Sequence, residues 1–237
     1  MNSTRRLLLA GFASLALASP AFAADPYVTA KMLDIATLMP PPPVKDSAED
    51  KADMQAVLDA QAHSTVERQA QAKVDSAEDI YTVYGRVLGD KFQAAALPKT
   101  TALFAAIGDS EDDTLDAAKP YFGRVRPWLA NPAVKAYAKP SKSGSYPSGH
   151  TTRAAVYAIA MSEIVPEKKR EFWLRSQDYA YSRIVGGMHY PTDIESGWRA
   201  GSAMAAIMMG EPRFQADLAA ARTELRAALG LPAEPAK

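Results

Sequence analysis

Three short segments of the chain carry residues of the types that bind a phosphate ester. The segments are residues 119–127, 147–150 and 182–193. The first and the last supply Lys119, Arg126 and Arg183. Positive side chains neutralise a dianionic phosphoryl group, and the planar fork of an arginine binds two phosphate oxygens at once. These segments therefore predict a phosphate site.

Two histidines in the same segments add reactive groups that cations cannot supply. His150 and His189 offer a nucleophile and a proton donor near neutral pH. Asp193 follows His189 by one helical turn and is placed to orient the imidazole. A carboxylate bonded to one ring nitrogen fixes the tautomer and leaves the other nitrogen free to attack. A histidine and an aspartate that only cap a helix are the alternative.

The run from Pro147 to His150 predicts the start of a helix with Ser148 as its N-cap. The free amides of Gly149 and His150 would then lie at the positive end of the helix dipole, where anions bind. Because Gly149 has no side chain, a phosphate oxygen can approach the backbone there. Taken alone, this run would be an ordinary helix start.

The pattern that these segments form, K-x6-R-P, P-S-G-H and S-R-x5-H-x3-D, resembles the signature of the phosphatidic acid phosphatase type 2 (PAP2) superfamily. All eleven specified positions are matched. The superfamily includes bacterial class A non-specific acid phosphatases, membrane lipid phosphatases and vanadium haloperoxidases. Residues 39–47, with four consecutive prolines, and residues 144–146 resemble the secreted class A phosphatases in particular. The likeness covers residues 38–210, and residues 211–237 carry no motif.

The resemblance implies a mechanism that needs neither a metal nor another cofactor. His189 would attack phosphorus to form a phosphohistidine, while His150 protonates the leaving alkoxide and then activates the hydrolytic water. The resemblance assigns the phosphate oxygens to Lys119, Arg126, Ser148, Gly149 and Arg183. Small phosphomonoesters would be the substrates, with transfer of phosphate to alcohols that compete with water. The physiological ester is left open.

Three further residues near the segments have two interpretations each. Arg124 lies outside the signature and is either a surface charge or a partner that supports the site residues. Tyr146 is predicted to contact the substrate, as part of an apolar wall for the leaving group. Trp128 either belongs to the same wall or packs in the core.

Two other functions fit the same residues. A vanadium haloperoxidase would hold vanadate, a phosphate mimic, with the same cations and histidines, although the short chain and the flanking residues disfavour it. A non-catalytic periplasmic phosphate-binding protein would keep the pocket without turnover, although both histidines and Asp193 are retained. An integral membrane lipid phosphatase is disfavoured because the sequence contains no convincing span.

The first residues have the order of a secretory signal peptide. Arg5 and Arg6 precede an apolar run over residues 7–18, and Ala21-Phe22-Ala23 supplies the small residues of a cleavage site. The apolar run is too short for a bilayer span, which needs about 20 residues. We therefore predict cleavage after Ala23, a periplasmic location and no stable membrane insertion.

Composition narrows the remaining possibilities. The chain is neutral overall, and removal of residues 1–23 removes two arginines and no acid, so the mature protein is slightly acidic and nucleic acid is not an expected partner. The absence of cysteine excludes disulfides and thiolate metal sites. His63 is the one histidine outside the segments and is predicted to be a surface residue, which disfavours a histidine-rich metal centre. The oligomeric state is left open, a homo-oligomer included.

The periodicity predicts an all-α, single-domain helical bundle over residues 46–237. Residues 24–45 form a proline-rich arm, whose apolar residues 32–39 are predicted to dock on the body. Gly197, Gly201 and Ala205 form a ridge of small residues, which predicts close helix packing. The predicted helices are residues 47–73, 76–96, 98–108, 113–121, 149–164, 167–185, 191–209 and 212–229.

Overall fold

The structure is a computed structural model that describes residues 25–233. The predicted signal peptide, residues 1–23, lies outside the described residues. No strand occurs between residues 25 and 233, so the all-α prediction is confirmed. The helices are α1 (Ile35–Leu38), α2 (Ala48–Ala62), α3 (Val66–Val74), α4 (Ile80–Leu88), α5 (Pro98–Phe122), α6 (Pro127–Ala130), α7 (Gly149–Ile164), α8 (Lys169–Val185), α9 (Pro191–Gly210) and α10 (Pro212–Leu229), with 3-10 turns at Ala94–Ala96 and Pro166–Lys168.

Helix α7 lies at the centre of the bundle. It packs against α5, α8, α9 and α10. Only His150, Ile159 and Glu163 along its length are not buried. Because α7 is enclosed, its first turn is held in a fixed position relative to the helices around it. The predicted anion-binding turn therefore has a rigid support.

Helices α7 and α9 approach each other closely through the predicted ridge of small residues. A Cβ atom at Gly197 would lie 2.7 Å from the carbonyl oxygen of Ser148, and one at Gly201 would collide with the backbone of Thr152. Both glycines are therefore required by this packing. No helix within the described part of the chain is both long and apolar enough to cross a membrane.

Helix α5 is continuous, whereas the sequence predicted two helices with a break over residues 109–112. In that interval, Ser110 and Glu111 point into the protein and are buried. The backbone amide of Tyr27 donates to Ser110 Oγ, and Arg153 donates to Glu111. Partners from elsewhere in the chain thus satisfy these polar side chains inside a helix.

Two other predicted helices are shorter than expected. The segment predicted as one helix over residues 47–73 divides into α2 and α3, because Thr65 caps a new helix by accepting from the amide of Arg68. The helix predicted over 76–96 is limited to α4, which starts after the cap Asp79 and stops at Gly89 with φ of 76°. Helices α7 to α10 lie within two residues of their predicted bounds.

The segment before α2 packs on the helical body. Leu33, Ile35 and Met39 are buried in the main core, whereas Met32 and Leu38 remain exposed. Residues 40–43 contain no helix, as the four prolines predicted. The carbonyl oxygen of Pro40 accepts a hydrogen bond from the Tyr146 hydroxyl. The arm is thereby connected to the loop that precedes α7.

Candidate active site

The three signature segments meet at one cleft of about 330 Å³ at the N-terminal end of α7. Helix α5 supplies Lys119, the loop after it supplies Arg126, and the end of α8 supplies Arg183. The cleft is lined by Ser76, Glu78, Glu111, Asp112, Lys119, Arg126, Lys139, Pro140, Ser141, Ser143, Gly149, His150, Arg183 and His189. The fold thus brings residues from distant parts of the sequence into one site.

The two arginines of the cleft are buried without a carboxylate partner. Arg126 is 4% exposed and Arg183 is 3% exposed. Arg126 donates to the carbonyl oxygens of Ser143, Gly144 and Met188, which are neutral acceptors. Within residues 25–233, no carboxylate forms an ion pair with either guanidinium.

Arg183 makes fewer hydrogen bonds than Arg126 does. One terminal nitrogen lies 3.5 Å from Ser76 Oγ, and its Nε has no hydrogen-bond partner among the described residues. Burial lowers the pKa of Arg183, and burial together with the charge of Arg183 lowers the pKa of Arg126 to about 10. Lys119 adds a third cation, whose nearest carboxylate, Asp116, lies 3.8 Å away on the exposed side. An anion in this cleft would relieve the mutual repulsion.

His189 lies in the tight turn between α8 and α9. Gly187, with φ of 74°, makes the reversal, as the Gly-Gly pair predicted. Burial, and next the charges of Arg126 and Arg183, lower the pKa of His189 well below 6.5, so the ring is neutral. Its Nε2 accepts from Arg126 Nη1 at 3.0 Å. The proton of the neutral ring is therefore on Nδ1, and Nε2 carries the lone pair that faces the cleft.

Asp193 lies behind His189, in the first turn of α9. Its Oδ2 is 3.4 Å from His189 Nδ1 and accepts a hydrogen bond from the backbone amide of Tyr190 at 2.9 Å. Its Oδ1 accepts from Arg124 Nη1 at 2.6 Å. Burial raises the pKa of Asp193 to about 6, although Arg124 and these hydrogen bonds lower it. The carboxylate caps α9 and faces the imidazole, but His189 Nδ1 has no hydrogen-bond partner among the described residues.

Arg124 is the partner of Asp193, and the interpretation as a surface charge is wrong. It is 9% exposed and lies 4.0 Å over the ring of Tyr190. Its second terminal nitrogen donates to Asp53 on α2 at 2.7 Å. The Thr192 hydroxyl also donates to Asp53. A chain of buried charges, Asp53–Arg124–Asp193, therefore fixes the turn that carries His189.

His150 is held in a more open setting at the start of α7. Its Nδ1 lies 3.0 Å from Glu78 Oε1, and its Nε2 lies 3.3 Å from the carbonyl oxygen of Ser76. The ring stacks on Tyr179 with centroids 5.7 Å apart. Burial, and next the charge of Arg183, lower the pKa of His150 to about 4, and Glu78 opposes this shift.

Glu78 was not identified from the sequence. It belongs to the turn before α4, in no recognised motif, and only the acidic character of residues 75–79 could have drawn attention to it. Burial raises its pKa, but the hydrogen bond from His150 and the charges of His150, Arg153 and Arg183 outweigh burial and hold the pKa at about 2. Glu78 is thus ionised and orients His150. No group of three or more potential metal-binding side chains occurs in residues 25–233.

Ser148 and Tyr146 lie behind the cleft. Ser148 is fully buried, and its Oγ caps α7 by accepting from the amide of Thr151 at 3.3 Å. Tyr146, which was predicted to contact the substrate, is turned away from the cleft in this structure. It is 1% exposed, its hydroxyl bonds to Pro40 and Ser196, and it does not line the cleft. A ring next to the signature in sequence is thus turned into the core. Trp128 packs against a smaller apolar cluster around Val185.

Comparison with known proteins identifies the family. Residues 100–214 match the model of the PAP2 superfamily. A non-specific acid phosphatase of Salmonella typhimurium is 31% identical over 198 residues, which cover 79% of this chain and 78% of the relative. The chain belongs to the PAP2 superfamily. A non-specific acid phosphatase of Providencia stuartii is 29% identical over 200 residues, 81% of each chain. The protein is accordingly an enzyme of the acid phosphatase type.

Two solved structures share the helical architecture. A bacterial vanadium-dependent iodoperoxidase superposes with a TM-score of 0.56 at 17% identity, over 74% of this chain and 53% of the peroxidase. This chain thus spans about half the length of that enzyme. A transmembrane PAP2-type phosphatidylglycerolphosphate phosphatase of Bacillus subtilis superposes with a TM-score of 0.52 at 18% identity, over 75% of this chain and 90% of the other. These similarities establish the fold.

Proposed function

We propose that the protein is an exported, non-specific acid phosphatase that hydrolyses phosphomonoesters through a phosphohistidine at His189. One observation carries the proposal. Arg126 and Arg183 are buried beside a neutral histidine, and no carboxylate of the described residues neutralises either of them. A buried cation without a partner is costly, so this arrangement favours binding of a phosphoryl dianion. Lys119 and the amide of Gly149 complete the set of donors.

In the first step, the lone pair of His189 Nε2 attacks phosphorus and the bond from phosphorus to the ester oxygen breaks. Arg126 now donates to His189 Nε2, so binding of phosphate has to divert this donor to a phosphoryl oxygen and release the lone pair. The leaving oxygen takes a proton from His150. Charge on the equatorial oxygens is neutralised by Arg126 and Arg183.

In the second step, His150 accepts a proton from water as the water oxygen attacks phosphorus. The bond from phosphorus to His189 Nε2 breaks, and inorganic phosphate leaves. An alcohol that replaces the water gives a new phosphomonoester, so the same intermediate supports phosphate transfer. Glu78 holds the ring of His150 in place through both proton transfers.

The charges of the cleft set the pH at which these steps can occur. In the free enzyme the pKa of His150 is about 4, because of burial and the nearby Arg183. A bound phosphoryl group adds negative charge and offsets Arg183, so it raises the pKa of His150 in the complex. The proton donor is then present in the acid to neutral range. We expect a bell-shaped rate profile in that range.

The direct test is capture of the intermediate. Radiolabelled phosphomonoester, mixed with the enzyme and quenched at neutral or alkaline pH, should leave label on His189, located by peptide mass spectrometry. Activity on p-nitrophenyl phosphate should persist in EDTA. Label on a serine, or complete loss of activity in EDTA, would contradict the proposed chemistry.

Two further measurements test the remaining parts of the proposal. Addition of an alcohol during turnover should yield phosphorylated alcohol in competition with free phosphate. In a bacterial host, the N-terminus of exported protein should be Ala24, the residue after the predicted cleavage site. An intracellular protein that retains Met1 would exclude the export signal.

Neither alternative function has a specific observation in its favour. The iodoperoxidase shares the fold at 17% identity, whereas the matched relatives at about 30% identity are phosphatases. A non-catalytic phosphate-binding protein would not need a neutral His189 or an oriented His150. Turnover of phosphomonoesters, without halide oxidation by peroxide after vanadate loading, would exclude both alternatives.

A further inference from the structure

Glu111 is a buried acid that faces the phosphate cleft and has no place in the signature. It lies on the inner face of α5, is 2% exposed and lines the cleft. Its Oε2 accepts from Arg153 Nη2 at 2.6 Å and from Arg153 Nε at 3.2 Å. Its Oε1 accepts no hydrogen bond from any side chain or amide that the structure describes. Only one of the two carboxyl oxygens of Glu111 therefore accepts hydrogen bonds.

The free oxygen of Glu111 lies over the turn that is proposed to hold phosphate. A Cβ atom at Gly149 would collide with Glu111 Oε1, and the same point is 3.5 Å from Lys119 Nζ. Oε1 thus contacts the backbone of Gly149, beside one of the cations that neutralise phosphate. A phosphoryl oxygen that approaches this backbone comes within reach of Oε1.

An ionised carboxylate at this position would repel a phosphoryl dianion, whereas a neutral acid could donate to it. Four charged groups face Glu111: Arg153 from α7, Lys119 and Asp112 from α5, and Glu78 from the turn before α4. His150 and Arg183 lie across the cleft. Burial raises the pKa of Glu111 and outweighs the charges of Arg153 and Lys119, which lower it. Asp112 and Glu78 add smaller upward effects. The acid form therefore persists to higher pH than for an ordinary glutamate.

We propose that Glu111 is a further phosphate-binding residue that acts as the neutral acid. The proton on Oε1 donates to a phosphoryl oxygen bound over Gly149, and loss of that proton replaces the hydrogen bond by repulsion. The inference rests on the proposed phosphate site and adds a feature to it, because it makes phosphate affinity depend on a group other than the two histidines. The protein would bind phosphate and its esters best in acid and release phosphate as the pH rises.

The test is the pH dependence of phosphate binding in Glu111→Gln. This variant keeps the shape of the side chain and a donor group but cannot ionise. The inhibition constant of inorganic phosphate should rise with pH more steeply in the wild type than in the variant. The slope of its logarithm against pH should differ by about one, which corresponds to the one proton of Glu111. At a pH above the transition, at which Glu111 of the wild type has lost its proton, the variant should bind phosphate about tenfold more tightly than the wild type. This factor corresponds to the free energy of one hydrogen bond to a charged group.

Asp112→Asn is the matched control. Asp112 is the next residue on α5 and also pairs with Arg153, at 3.1 Å, but its side chain is 62% exposed. This variant removes one negative charge from the same helix and the same arginine, so it should retain the steep wild-type slope. If Glu111→Gln also retained that slope, or if Asp112→Asn lost it equally, the assignment to Glu111 would be wrong.

A measurement on the wild type covers the case in which Glu111→Gln does not fold. Infrared difference spectra recorded on addition of inorganic phosphate above the transition should gain the band of a protonated carboxyl group. Absence of that band would overturn the inference. The proposed function fails differently, because label on a serine, or an absence of turnover, would contradict it whatever residue occupies position 111.

Discussion

The two histidines of the cleft are held in opposite ways. The side chain of His189 is 2% exposed, and Asp193 behind it is fully buried against Arg124. The side chain of His150 is 14% exposed, and its partner Glu78 is 41% exposed. We name these two halves the closed side and the open side of the cleft. The closed side is a chain of buried charges, whereas the open side is a histidine beside a carboxylate at the edge of solvent.

This difference suits the two roles that we propose for these histidines. A nucleophile needs a fixed orientation and a free lone pair, and the buried charges Asp193, Arg124 and Asp53 supply the orientation without access to water. A general acid must exchange its proton with solvent in every cycle, which an open position permits. Removal of one charged partner should also cost more stability on the closed side than on the open side. A buried charge left without its partner is not screened by water, whereas an exposed charge is.

The largest effect is expected from His189→Ala. Removal of the nucleophile should abolish the phosphoenzyme and lower kcat by at least about 10³-fold, by analogy with loss of other covalent nucleophiles. Inorganic phosphate should still bind to Arg126 and Arg183, which calorimetry can measure. If the variant retained a substantial fraction of wild-type activity, His189 on the closed side would not be the nucleophile.

His150→Ala should give the next largest effect, and the effect should depend on the leaving group. Alkyl phosphates need a proton on the departing oxygen, so their hydrolysis should fall by about 10²–10⁴-fold. Esters with a good leaving group, such as p-nitrophenyl phosphate, should lose less. Comparison of kcat/KM for the two ester classes measures the difference. Equal losses for both classes would contradict the role of proton donor.

Arg124→Met should affect both activity and stability. It leaves Asp53 and Asp193 buried without their cation, which should cost about 3–5 kcal/mol in the free energy of unfolding. Because Arg124 lowers the pKa of Asp193, its loss should raise that pKa above about 6 and move the acid limb of kcat to higher pH. Misorientation of His189 should lower kcat by about 10²-fold.

Arg199→Met is the control for Arg124→Met. Arg199 pairs with Glu195 on the same helix, α9, but both side chains are more than half exposed. Its loss should change the free energy of unfolding by less than about 1 kcal/mol and leave the pH profile in place. Chemical denaturation and a pH series measure both quantities. Equal effects of the two variants would show that burial of the charges on the closed side is unimportant.

Glu78→Gln should have a moderate effect on the open side. Glu78 raises the pKa of His150, so its loss should lower that pKa below about 4 in the free enzyme. The higher pKa of His150 in the complex should fall as well. Less of the proton donor is then present as the pH rises, and the alkaline limb of kcat moves to lower pH. A pH series with an alkyl phosphate measures the shift. An alkaline limb that stayed in place would mean that Glu78 does not govern His150.

The smallest effect is expected from Tyr146→Phe, on the closed side but away from the cleft. Loss of the hydroxyl removes the hydrogen bonds to Pro40 and Ser196 and should cost about 1 kcal/mol in stability. KM and kcat should remain near those of the wild type, because the ring does not line the cleft. A clear rise in KM would support the role in substrate contact that the sequence predicted.

The features predicted correctly from the sequence rest on local rules. Ser148 caps α7, Gly187 turns the chain, and Pro191 begins α9, because each depends on backbone geometry within a few residues. Where a local rule failed, a distant partner was the reason. Residues 109–112 remain helical because Tyr27 and Arg153 satisfy Ser110 and Glu111 from other parts of the chain.

The sequence by itself determined the candidate reactive groups of this protein: the cations, the two histidines and the helix starts that present them. Only the tertiary structure decided their supporting partners and their protonation. Arg124 meets Asp53 across 71 residues, and Arg153 meets Glu111 across 42. No local pattern encodes such contacts, because they depend on how α2, α5 and α7 pack together. Burial in that packing then sets the pKa of each group, since the cost of a charge depends on its distance from water.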